Sequence, residues 1–139
     1  MIGAPGSPKG LNGDFALTNY PVLKGIDFTT MTLPALVVYG DKDMNVNFSN
    51  IENWRADAYY GSPGNKSLLT IFGAEHIYGG VSGWDADETS DEDPARVAFV
   101  CESILAYIRS AMDTNDTGWA QLQNDFEKDP RAKARIENK

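Results

Sequence analysis

The sequence predicts an α/β fold, on three observations. Two short apolar runs, Ala35-Leu36-Val37-Val38-Tyr39 and Leu68-Leu69-Thr70-Ile71-Phe72, are each closed by a glycine. The stretch between them has room for a crossover with a helix. After the second run comes a long series of apolar residues spaced three and four apart.

Each element has a local reason. The first part of the chain, from Ala4 to Gly25, is rich in Gly, Pro and Asn and reads as loop. Met1-Ile2 reads as the stub of a strand. Pro34 precedes the first apolar run and Gly40-Asp41 stops it, as expected for a strand buried on both faces. Ser49-Asn50-Ile51-Glu52 fits a capping box, so a short helix carrying Ile51, Trp54 and Ala58 is expected before Gly61-Ser62-Pro63-Gly64. The second run is a second buried strand. Asp93 suits an N-cap and Pro94 a first helical turn. From there Val97, Val100, Cys101, Ile104, Leu105, Ile108 and Met112 form one apolar stripe, giving a helix from Pro94 to Met112 with Cys101 as a packed thiol. A smaller helix carries Trp119, Leu122 and Phe126 and stops at Pro130; the tail after Arg131 is expected to fray.

Two strands joined by such a crossover are most simply parallel, with a right-handed connection. One such unit leaves open edges and a bare face. The sequence therefore asks for strands beyond those it displays, and an isolated chain is expected to be aggregation-prone or partly ordered. The reading is one partial domain over 1–139: a loop-rich lead-in (1–32), the strands, crossover and closing helix (33–112), and a C-terminal extension (113–139).

Composition narrows the partners. A formal net charge of −8 repels phosphate backbones and anionic lipid surfaces, so neither nucleic acid nor membrane is expected. No apolar run is long enough to span a bilayer. The opening Met1-Ile2-Gly3-Ala4-Pro5-Gly6 lacks the basic start and apolar stretch of a signal peptide, which favours the cytoplasm. The acidic stretch from Asp85 to Asp93 fails the calcium-loop pattern. Counted from Asp85, Ser90 stands where a glycine is needed and Arg96 where a glutamate is needed. It reads as a solvated loop whose last acids favour the following helix.

In an open parallel sheet, ligands bind at the carboxyl ends of the strands. Gly40-Asp41-Lys42-Asp43 leaves the first strand there, and Gly73-Ala74-Glu75-His76 leaves the second. His76 is the only histidine. A carboxylate beside an imidazole fixes its tautomer and stabilises the imidazolium that forms when it takes a proton. Tyr78 and Trp84 follow closely and either line a substrate pocket or pack the loop against the body.

The segment Leu33-Pro34 through Gly40-Asp41-Lys42-Asp43 resembles the acid strand of α/β-hydrolases: Pro, apolar run, Gly, two residues, Asp. Leu68 through Gly73, then Ala74-Glu75-His76, resembles that family's last strand and histidine loop, and Pro94 to Met112 its C-terminal helix. With Gly79-Gly80 and Ser82-Gly83, the text is similar to a bacterial group of α/β-fold hydrolases, some labelled chlorophyllase-like. The resemblance covers the chain from about Tyr20 onward. It implies the C-terminal portion of an α/β-hydrolase fold, with the last parallel strands present and the N-terminal strands absent. It implies Asp43 as triad acid and His76 as general base, acting on a small-molecule acyl substrate such as a carboxylic ester. No metal and no organic cofactor is implied.

The chain departs from the family in lacking the nucleophile elbow G-x-S-x-G. Ser7 lies in Pro5-Gly6-Ser7-Pro8-Lys9, and Ser49, Ser62, Ser82 and Ser90 also lack the full elbow pattern. The expectation is therefore half a machine, whose partner is the missing N-terminal part of the same domain. The rival readings are a non-catalytic interaction module and a same-fold enzyme with another nucleophile, such as a dehalogenase.

Overall fold

The computed structural model describes residues 1–81, 83, 89–129 and 131–139; the Trp84 reading and the first four residues of the acidic stretch, 85–88, lie outside them. Strand β1 is Ala35–Gly40 and β2 is Lys66–Ile71. They pair in parallel, with Val38 opposite Leu69 and Gly40 opposite Ile71. Side chains alternate across the pleat. Leu36, Val38, Leu69 and Ile71 enter one apolar cluster, and Val37, Tyr39 and Leu68 enter another on the opposite face. This is the two-sided burial that the uninterrupted apolar runs imply.

The crossover covers the second face. A 3₁₀ turn, Trp54–Ala56, runs into a short helix, Asp57–Gly61. Ala56, Ala58 and Tyr59 pack there with Phe28 and Met31. The expected capping box does not form: the Ser49 hydroxyl accepts from the Ile51 amide at 3.1 Å, closing a turn ahead of the helix. The stretch from Ala4 to Gly25, expected as loop, holds a helix of its own, Gly13–Asn19, and two 3₁₀ turns, with a third at Phe28–Thr30. Its glycines let it lie close on the crossover. A Cβ on Gly6 would stand 2.0 Å from the Trp54 carbonyl oxygen. Numbered in chain order, Gly13–Asn19 is α1 and Asp57–Gly61 is α2.

The long helix α3, Pro94–Met112, begins as expected, with the Asp93 carboxylate accepting from the Ala95 and Arg96 amides at 2.9 and 3.1 Å. Its buried face is a correction. Val100 and Ser103 face the sheet, flanked by Phe99, Ile104 and Tyr107, whereas Cys101, Leu105, Ile108 and Met112 are exposed. The helix is apolar over more than one stripe. Periodicity finds the helix but does not choose between adjacent stripes. The choice is made by α4, Gly118–Lys128, which packs Phe126 against Phe99 and Trp119 edge-on to Tyr107. No helix of the described residues is long and apolar enough to cross a membrane.

The tail does not fray. Ala134–Asn138 forms β3, antiparallel to β2, with Ile136 opposite Leu69. Ala134 and Ile136 point into the core and Arg135 outward, a period-2 alternation masked in the sequence by charge. The sheet order is β1-β2-β3, with Ile2 bridged in parallel to Val38 on the far side of β1. The bare face and the open β2 edge expected from the sequence are thus covered by residues of this chain. The result is a small mixed sheet with helices on both faces.

The β3 pairing gives a test. We predict that Ile136→Ala lowers unfolding free energy by about 2–4 kcal/mol, the cost of emptying a core site. A urea midpoint equal to wild type would mean that the tail does not pair with β2.

Candidate functional site

The in-register ends of β1 and β2 bring two loops together at one sheet edge. Their backbones interlock: Asp41 N donates to Ile71 O at 3.1 Å and Lys42 N to Ala74 O at 3.0 Å. The contact needs a glycine at the end of β1, since a Cβ on Gly40 would fall 2.1 Å from the Ala74 carbonyl oxygen. Asp41 serves this seam, its carboxylate accepting from the Gly73 amide at 2.6 Å. Asp43 then turns inward, its side chain 1% exposed.

Each Asp43 oxygen has its own partner. Oδ2 lies 3.0 Å from His76 Nδ1, and Oδ1 lies 2.7 Å from Arg55 Nε. The arginine contact is an ion pair by distance, without the alignment of a linear Nε–H hydrogen bond. Arg55 also donates from Nη1 to the Gly3 carbonyl at 2.8 Å, and its guanidinium lies over the Trp54 ring. Its side chain is only 9% exposed. A carboxylate accepts only, so the neutral imidazole carries its proton on Nδ1 and leaves Nε2 as a bare acceptor. His76 is 45% exposed and has no other hydrogen-bond partner among the described residues.

The histidine loop is braced from three sides. Glu75 N donates to the Asp91 carboxylate at 2.9 Å, and Arg96 of α3 holds the same oxygen at 2.6 Å. The Glu75 carboxylate accepts from the Ser90 amide and hydroxyl at 2.8 and 2.9 Å. Asp93 N donates to Gly79 O at 2.9 Å. The described end of the acidic stretch thus straps the loop to the helix start. Among the described residues no cluster of three or more acid, histidine or cysteine side chains is gathered for a metal.

Tyr78 takes the packing role. It is 2% exposed, and its hydroxyl donates to the Val38 carbonyl at 3.1 Å. Burial pushes the phenol well above its ordinary range, with the Asp43 charge adding to the effect, so it is a neutral donor beneath the pair. Its backbone has a positive φ of 54°. For a bulky residue that is a strained conformation held by its surroundings.

The pair opens on a cavity of about 680 Å³, lined by Asp43, Arg55, His76 and residues of both the lead-in and the acid loop, among them Tyr20, Leu23 and Phe48. The described serines are engaged elsewhere. Ser7 binds Asp57, Ser62 the Ala58 carbonyl, Ser67 Asn138 and Ser90 Glu75. Ser49, Ser103 and Ser110 likewise have local partners. Ser82 lies outside the described residues.

Sequence reasoning missed Arg55. It sits in a short crossover turn with no motif around it, and nothing local announces a buried arginine. We predict that Arg55→Ala costs about 3–5 kcal/mol of stability, because the Asp43 charge would stay buried with one side unpaired. Arg55→Met combined with Asp43→Leu should recover much of that loss. A denaturant midpoint unmoved by Arg55→Ala would show that the pair is not formed. Comparison with protein-family models, with curated proteins and with solved structures finds no match to this chain.

Proposed function

We propose that Asp43, Arg55 and His76 form the base half of a hydrolytic site of the α/β-hydrolase type, acting on carboxylic esters or similar acyl bonds. The observation that carries this reading is the buried carboxylate on His76 Nδ1, with Nε2 free beside a cavity. In the scheme, a hydroxyl attacks the acyl carbonyl while His76 Nε2 takes its proton. The imidazolium is stabilised by Asp43 and returns the proton to the departing alkoxide. Water then attacks the acyl intermediate by the same proton route, releasing the acid.

Arg55 fixes the carboxylate that orients the ring. No described serine stands at Nε2. In this reading the nucleophile is a seryl hydroxyl of the N-terminal part that the acid-then-histidine order of the resemblance implies. The ester class rests on that resemblance, because one fold hosts many reactions. The rival non-catalytic module draws on one observation, the exposed stripe Cys101, Leu105, Ile108 and Met112 on α3.

The assay that separates these readings is turnover of nitrophenyl acetate by the chain, with His76→Ala as control. We predict slow turnover that requires His76 and no serine labelled by a fluorophosphonate. Fast turnover with a labelled serine would contradict the placement of the nucleophile. Turnover indifferent to His76→Ala would refute the general base and favour the module.

A further inference from the structure

We propose that the cavity beside His76 binds an uncharged aromatic group, held against a wall of rings built jointly by the lead-in and the acid loop. This names the substrate class of the hydrolytic site proposed above. It rests on that reading for the chemistry and on the cavity alone for the binding.

Three rings from two distant segments pack together, and two of them, Tyr20 and Phe48, line the cavity. Phe15 lies on α1, Tyr20 follows it, and Phe48 follows the acid loop. The Tyr20 and Phe48 centroids are 5.3 Å apart, and Phe15 stands edge-on to Phe48 at 6.0 Å. The backbone fixes the meeting: Asn12 N donates to Phe48 O at 2.6 Å, and Asn12 Nδ2 to Val46 O at 2.8 Å. Tyr20 and Phe48 line the same cavity as His76, and Leu23, Met44 and Trp54 continue its apolar lining.

Two features select the occupant. Tyr20 is 46% exposed and Met44 51%, so apolar surface stands wet beside the imidazole and gains by being covered. The charged side chains beside His76 already have partners. Arg55 is taken by Asp43 and the Gly3 carbonyl, and the Glu75 carboxylate by Ser90. An anionic group finds Arg55 already paired with Asp43 and otherwise the exposed Lys42, and the lining carboxylates, Asp43 and Glu75, are already engaged. A neutral ring adds edge and face contacts to rings already so arranged. The volume lies within the range of ordinary small-molecule sites.

The test is binding without turnover. Benzylacetone, an uncharged dialkyl ketone carrying a phenyl ring and no leaving group, is titrated into the isotope-labelled chain while amide shifts are followed. We expect saturable shifts at Tyr20, Phe48 and His76. Tyr20→Ala and Phe48→Ala should each weaken binding by about 2- to 10-fold, the worth of an aromatic contact. The cyclohexyl analogue should bind more weakly, and Met112→Ala, on the exposed stripe of α3 away from the cavity lining, should leave affinity unchanged. Each variant's amide spectrum checks its fold; Tyr20, half exposed, remains testable if the Phe48 variant does not fold. Shifts absent from the wall, equal affinity for the cyclohexyl analogue, or indifference to Tyr20→Ala would overturn the proposal. Ketone binding at the wall without His76-dependent ester turnover would sink the hydrolytic reading and leave this one standing.

Discussion

The parallel, in-register pairing of β1 with β2 is the constraint on which the molecule turns. It makes both strands end at the same edge, with Gly40 opposite Ile71. Only then can the Lys42 amide reach the Ala74 carbonyl and the Asp41 carboxylate reach the Gly73 amide. A slip of either strand by one residue would exchange that strand's two faces and carry Asp43 away from His76. The apolar clusters on either face therefore hold the register, and the register holds the site.

Burial of Asp43 then sets the electrostatics. A buried carboxylate is costly unless its oxygens are satisfied. Arg55 and His76 divide that task, one oxygen each. The arginine is held in turn by the Gly3 carbonyl and the Trp54 ring, so the lead-in and the crossover both bear on the acid. On the other side, Asp91, Arg96 and Ser90 brace the histidine loop against the start of α3. The imidazole is thereby supported by rigid elements while much of its ring stays open to the cavity.

The parts that were legible in the sequence are those with a strong local signature. The two apolar runs became paired strands, and Asp93-Pro94 opened the long helix. The strand edge where parallel sheets bind ligands marks Asp41, Asp43 and His76 as candidates, and the family resemblance singles out Asp43 as the acid. The parts that were not legible depend on tertiary choice. Ile136 looked like a frayed tail because the charges around it hid a two-residue alternation. Cys101 and Leu105 looked buried because α3 is apolar on adjacent stripes, and only α4 decides which one turns inward. Nothing in the sequence decides between pocket and packing for Tyr78, because the Val38 carbonyl that its hydroxyl reaches is forty residues away. Arg55 and the ring wall of Phe15, Tyr20 and Phe48 arise from contacts between distant segments, which no local pattern encodes.

The central claim is that Asp43 holds the His76 ring with the proton on Nδ1 and a free Nε2. Because His76 is the only histidine, its two ring nitrogens can be read by proton–nitrogen multiple-bond NMR without assignment ambiguity. At alkaline pH the account predicts the Nδ1–H tautomer in the wild-type chain and in Asp41→Asn. In Asp43→Asn the side-chain amide can donate to Nδ1, and the proton should move to Nε2. A wild-type ring protonated on Nε2, or a tautomer unaffected by Asp43→Asn, would contradict it.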